Sequence, residues 1–136
     1  PVTKAQLALA HELRTGFRAA MAAHHDRSTA EIPGLDAAAV RLPLVMAFDG
    51  PQPRLAPAGS PVERALGGLL VAAQSAAASG AWQRLKLCAA ATCAEAFYDV
   101  SKNRSRTSCS MEVCGNRQKT RSYRRRQTRP EPAASR

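Results

Sequence analysis

At 136 residues with a formal net charge of +10, the chain has room for one ordinary domain, or for a small domain followed by a metal module that needs little core of its own. Aromatic residues make up only 4% of it while alanine is abundant, which excludes a core built on large rings and points to helices packed closely through small side chains. The charge is lopsided: residues 1–99 carry nine basic and eight acidic side chains and residues 100–136 eleven basic and two acidic, so the second segment wants a polyanion, nucleic acid ahead of an anionic membrane surface.

Taken in order, Thr3 with Gln6 has the form of a capping box. Leu9, Leu13, Phe17 and Met21 follow at four-residue steps and predict an amphipathic helix to about His25. His24 and His25, beside Asp26, read as solvated residues at a fraying helix end, since no Cys or carboxylate pattern accompanies them as in a metal site. Pro33 breaks the pattern, and Leu35–Val40 provides one or two further turns. Leu42, Leu44, Met46 and Phe48 alternate with Pro43, Val45 and Ala47, and Asp49-Gly50 supplies a turn before Arg54 and Leu55, which predicts a hairpin. Pro43, Pro51 and Pro53 have no N–H to donate, so its strands are edges or loosely paired.

Ser60-Pro61-Val62-Glu63 combines an N-cap serine, a proline at the first helical position and a box-closing glutamate, and predicts a helix to Ser79 with Gly80 past its end. Val62, Leu66, Leu69, Leu70 and Ala73 form its apolar stripe. Its alanine-rich far half suits close helix contact, either within the domain or across a homodimer. The uncharged run Ala65–Ala81 is too weakly apolar for a membrane span.

Every cysteine falls in the next stretch. Cys88 and Cys93 enclose four residues, Cys109 and Cys114 enclose four, and fifteen lie between the pairs. Two short Cys loops can bring four thiolates round one tetrahedral ion, so one structural Zn²⁺ on Cys88, Cys93, Cys109 and Cys114 is the leading expectation. Two disulfides, which need an oxidising compartment, and a redox switch in which the thiolates oxidise and eject zinc are the alternatives. Trp82–Leu87 and Ala96–Val100 read as strands flanking the first loop, with Phe97 and Tyr98 covering the thiolates rather than stacking on bases. After the basic loop Lys102–Arg106, a helix should begin between Ser110 and Gly115 and run to about Gln127; Pro130 stops it, and residues 129–136 read as a disordered tail.

The Cys pairs, the run Phe97-Tyr98-Asp99-Val100-Ser101-Lys102-Asn103-Arg104-Ser105-Arg106 between them, and Cys109-Ser110-Met111 leading to Cys114-Gly115-Asn116-Arg117 resemble the CGNR zinc finger. Upstream, Leu42 to Phe48, Asp49-Gly50 and Ser60–Glu63 resemble the ABATE domain joined to that finger in bacterial proteins described as stress-induced transcription regulators. The resemblance spans about residues 5 to 127; relative to it the chain lacks a further N-terminal segment, and Ser108 stands where the family commonly has tryptophan. It implies zinc on the four cysteines, a DNA-binding finger, and an N-terminal domain that senses an unidentified small molecule.

The expected architecture is α+β. Residues 1–80 form an ABATE-like helical domain with a β-hairpin, N-terminally incomplete, and 81–128 a four-cysteine zinc finger of a β-hairpin plus a basic C-terminal helix. In that helix Arg117, Arg121 and Arg124 share one face, Lys119 and Arg126 another, with Arg125 to the side. Charge on several faces suits phosphate contacts, to which Lys102, Arg104 and Arg106 would add. Asn116 and Arg117 are the candidates for base edges, with Asn116 also suited to stabilising the turn beside Gly115. The expected function is a DNA-binding transcription regulator, cytoplasmic and nucleoid-associated, with duplex DNA as its partner and no membrane. The alternative is an RNA-binding or protein-bridging zinc module without sequence-specific DNA recognition. An enzyme is not expected, since no phosphate-binding glycine loop or placed nucleophile and base is present and a four-thiolate site is closed.

Overall fold

In the computed structural model, which describes residues 1–25, 31–116 and 120, the first helix begins where its cap predicts. The Thr3 hydroxyl accepts from the Gln6 N–H at 3.2 Å and the Gln6 side chain accepts from the Thr3 N–H at 2.9 Å, satisfying two donors at the start of α1 (Lys4–Ala23). Leu9 and Leu13 turn inward to meet Ala38 of α2 (Pro33–Ala39) and Leu42, with Phe17, Leu35, Leu66 and Leu70 packed around them. The two helices come this close because Gly16 has no side chain: a Cβ there would lie 2.8 Å from the Cβ of Leu35.

The predicted hairpin is present but shorter. Strands β1 (Leu44–Ala47) and β2 (Arg54–Pro57) run antiparallel, with Leu44 opposite Pro57 and Ala47 opposite Arg54. The alternation read from Leu42 to Phe48 holds only at its start. Leu42 is buried and Leu44 half-buried, whereas Met46 and Phe48 are exposed, Phe48 by 78%. The cause is the reach of α3 (Pro61–Ala78), which covers the Leu44–Pro57 end. Gly67 makes that crossing, since a Cβ there would lie 2.9 Å from the Cβ of Pro57 and 3.4 Å from Cδ2 of Leu44. Ser60 and Glu63 form the predicted capping box, at 2.7 Å from the Ser60 N–H to the carboxylate and 3.3 Å from the Glu63 N–H to the hydroxyl. Leu66 and Leu70 reach the core, but Leu69, also expected in the apolar stripe, is half exposed. No helix among the described residues is long and apolar enough to cross a membrane.

The strand predicted from Trp82 divides. Trp82–Arg84 coil into a 3-10 turn, because the Trp82 ring is drawn to α1, edge-on to Phe17 at 6.0 Å and to His24 at 5.1 Å between centroids. Leu85–Leu87 form β3, paired antiparallel with β4 (Ala96–Tyr98). The last described turn, Met111–Gly115, begins inside the predicted window with Ser110 as its cap. It opens as a π-helical turn, the Gly115 N–H reaching the Ser110 carbonyl at 2.8 Å. The predicted continuation to Gln127, Thr120 apart, and the tail at 129–136 lie outside the described residues. Among the described residues, helices with two separate antiparallel hairpins make the fold α+β, as expected.

A further expectation is overturned. His24 and His25 are not solvated: His24 is 9% exposed with its Nδ1 2.7 Å from the Leu85 carbonyl, and Nε2 of His25 bonds the Leu87 carbonyl. The end of α1 does not run into water; it docks on β3.

Candidate metal centre

Strand β3 delivers Cys88, and the first loop is shaped by backbone bonds rather than by side-chain packing. The Cys88 N–H reaches the Glu95 carbonyl at 2.8 Å, the Ala89 N–H reaches Thr107 at 2.8 Å and the Cys93 N–H reaches Ala90 at 2.9 Å. Just past the loop, Ala94 adopts φ +51°. The second loop is set by Ser110, whose hydroxyl accepts from the Val113 N–H at 3.4 Å and so opens the turn that carries Cys114.

All four sulfurs lie within 4.8 Å of one another, with Cys93 to Cys109 at 3.6 Å and Cys109 to Cys114 at 3.8 Å. A zinc–sulfur bond of about 2.3 Å in a regular tetrahedron gives a sulfur–sulfur edge of about 3.8 Å, so these separations fit a shared ion. They are far beyond the roughly 2.05 Å of a disulfide, and all four cysteines are free thiols. Burial pushes the Cys88 thiol up, but backbone hydrogen bonds from Cys109 and Ala90 outweigh it and bring it down to about 7. Cys93, and then burial, push Cys114 up to about 12. A sulfur that ionises readily among neighbours that resist a second negative charge is a donor set suited to a dication, which lets all four be thiolates at once. The residues therefore fit one structural Zn²⁺ held by Cys88, Cys93, Cys109 and Cys114. Such a set leaves no coordination position for substrate, and its binding free energy is folding free energy.

Behind the metal site lies a polar core that sequence reading missed. Lys86 is 2% exposed and Asp99 0%, and they pair at 2.8 Å. The Lys86 ammonium also donates to the carbonyls of Arg104 at 2.6 Å and Arg106 at 3.3 Å. Asp99 accepts from the Ser101 N–H at 2.9 Å, the Ser101 hydroxyl at 2.6 Å and the Arg106 N–H at 3.0 Å. Burial raises the Asp99 carboxyl, but Lys86 and Ser101 overcome it and hold the group well below the usual carboxylate range. The result is a basic loop, residues 101–106, fastened from inside by its own backbone. A signal was available: the pairing puts Arg84, Lys86, Phe97 and Asp99 on one sheet face, where a lone acid stands among bases.

Of the residues proposed for nucleic acid, Lys102 is exposed. Arg104 is exposed too, donating to the Gln83 side chain at 3.0 Å. Arg106 is half-buried, lies over the Phe97 ring at 5.5 Å, and donates to the carbonyls of Ser108 at 2.8 Å and Cys109 at 2.5 Å, bracing the second Cys loop. Phe97 is half-buried between that guanidinium and His25, while Tyr98 is exposed. Asn116 is exposed and returns its amide to the Glu112 carbonyl at 3.2 Å. Arg117, Lys119, Arg121, Arg124, Arg125 and Arg126 lie outside the described residues.

Residues 84–127 match the family model of the CGNR zinc finger, a span that contains all four cysteines and the Cys114-Gly115-Asn116-Arg117 run. No curated protein matches the chain.

Proposed function

We propose that the chain is a DNA-binding transcription regulator of the stress-induced bacterial type, in which the zinc finger presents a basic segment to duplex DNA and an ABATE-type helical domain at residues 1–80 senses a small molecule. The observation that carries this reading is the charge: residues 100–136 hold eleven basic and two acidic side chains, and they begin inside the zinc module. The internal fastening of loop 101–106 adds to it, since that loop offers Lys102 and Arg104 outward without first having to be ordered. Arg104, Lys102, Lys119, Arg121, Arg124, Arg125 and Arg126 serve phosphates, and Arg117, with Asn116 beside it, serves a base edge. The protein is cytoplasmic and nucleoid-associated on this reading, and not an enzyme.

A salt titration of binding to a duplex, a scrambled duplex and a single strand tests it. Five or six phosphate contacts predict a fall of log affinity against log salt with a slope of roughly −5. A slope near zero ends the nucleic-acid reading. Preference for the single strand turns it to the RNA-binding alternative.

A further inference from the structure

Strand β3 belongs to a two-stranded sheet, and its backbone is used on both edges. Arg84 and Cys88 face β4, the Arg84 carbonyl accepting from the Asp99 N–H at 2.7 Å and the Cys88 N–H reaching Glu95 at 2.8 Å. The period of two in a strand therefore turns the carbonyls of Leu85 and Leu87 to the open edge. Two successive residues at the end of α1 meet them there: His24 through Nδ1 at 2.7 Å to Leu85, and His25 through Nε2 to Leu87. A carbonyl only accepts, so these two nitrogens carry the protons. Nδ1 of His25 is buried with no hydrogen-bond partner among the described residues, so Nε2 makes the hydrogen bond by which that ring holds the strand.

One helical stretch earlier, the Arg18 guanidinium donates at 3.0 Å to the carbonyl of Ala94. Ala94 follows Cys93 and sits at φ +51°, a conformation that a residue with a Cβ adopts only when its surroundings hold it there. The first cysteine loop is thus gripped by α1 just before Cys88 and just after Cys93.

We infer that Arg18, His24 and His25 are positioning residues of the zinc centre: α1 holds the Cys88–Cys93 loop in its ligating conformation, so the helical layer and the metal site are mechanically one unit. A displacement of α1 changes how firmly zinc is kept.

The test uses the zinc-loaded full chain and follows transfer of zinc to a chromogenic chelator, with helix content monitored in parallel by circular dichroism. Arg18→Ala and His25→Leu each speed transfer about tenfold, the lower end of what outer partners of a metal site are worth. His24→Asn and His25→Gln keep near wild-type rates, because their amide nitrogens stand in for Nδ1 and Nε2. Arg41→Ala removes the 2.7 Å ion pair to Glu12 elsewhere on α1 and leaves the rate unchanged. The inference is overturned if Arg18→Ala and His25→Leu release zinc at the wild-type rate, if His25→Gln is as fast as His25→Leu, or if Arg41→Ala is equally fast. Should His25→Leu lose its helix content, Arg18→Ala with His25→Gln decides the matter alone.

Discussion

The two halves of the molecule are held together by different physics. Around Leu9, Leu13, Ala38 and Leu42 the helical layer has an apolar core, non-directional and made of parts that many sequences could supply. Among its described residues the finger has almost none: the most buried side chains there are Lys86 and Asp99, and the other tie is four sulfurs around a metal. A module this small cannot bury enough apolar surface to order the loop at residues 101–106, so it uses strong directional interactions that fail completely when one partner is removed. The helical layer should lose stability by degrees, and the finger in single steps.

The largest step is the metal. Cys114→Ser, or chelation of the wild-type protein, removes a structural zinc whose apparent binding is worth about 10–16 kcal/mol in comparable modules, and the finger unfolds. The helices α1 and α3 keep their circular-dichroism signal, because the Leu9–Leu13 core does not draw on the metal. The contacts of Arg18, His24 and His25 couple the two parts equally in both directions, so zinc loss loosens the end of α1 from β3, while the Leu9–Leu13 core, which contains no finger residue, keeps the helices folded. Loss of the whole helical signal on chelation would show that the two cores are a single cooperative unit.

Next is the buried ion pair. Lys86→Met leaves Asp99 charged and unpaired in the interior and should cost about 3–5 kcal/mol in urea unfolding of the zinc-loaded protein, whereas replacing both partners by apolar residues costs much less than the two single changes summed. The sign of the pH dependence follows from the lowered carboxyl of Asp99. Its contribution is complete above the ordinary carboxylate range and is lost as pH falls toward the folded value. The gap in urea midpoint between wild type and Asp99→Asn therefore stays constant from about pH 8 to about pH 5 and narrows only below about pH 4. A gap that narrowed near neutrality would assign the stabilisation to another group.

In the apolar half, Leu13→Ala should cost about 2–5 kcal/mol by the same measurement, spread over a site whose neighbours can partly close in. A cost below about 1 kcal/mol would mean that the helical layer is too loosely packed to bear on the metal site through α1.

This contrast also explains what the sequence made legible. Thr3 with Gln6, Ser60 with Glu63 and the two cysteine loops are devices whose partners lie three to five residues apart, so reading along the chain finds them. His24 and His25 meet partners 61 and 62 residues away, and nothing local announces that a helix end will find an open strand edge. Phe48 and Met46 fail for a related reason: alternation says which side chains share a face, and only the length of α3 says how far that face is covered. Lys86 and Asp99 are intermediate. They are 13 residues apart and become visible once the strands are paired about the cysteine loop, yet Arg84 and Lys86, alternating along one short segment, read naturally as a solvated face.

The smallest effects come from neighbouring glycines in α3, which test how tightly the apolar half is packed where that helix crosses the hairpin. Gly67 faces the hairpin, where an added Cβ would lie 2.9 Å from a proline ring carbon that cannot swing aside; Gly68 has nothing within 4 Å of its would-be Cβ. Gly67→Ala should therefore destabilise by about 1–3 kcal/mol through overpacking, against its gain in helix propensity. Gly68→Ala takes the propensity gain with no contact to offset it and should stabilise by about 0.5–1 kcal/mol. The measurement is the shift in urea midpoint for the two single variants at constant zinc. Opposite signs one residue apart would confirm that α3 meets the hairpin through a single glycine-wide crossing. A stabilising Gly67→Ala would mean that the hairpin can move away from α3, and that the helical layer carries slack there.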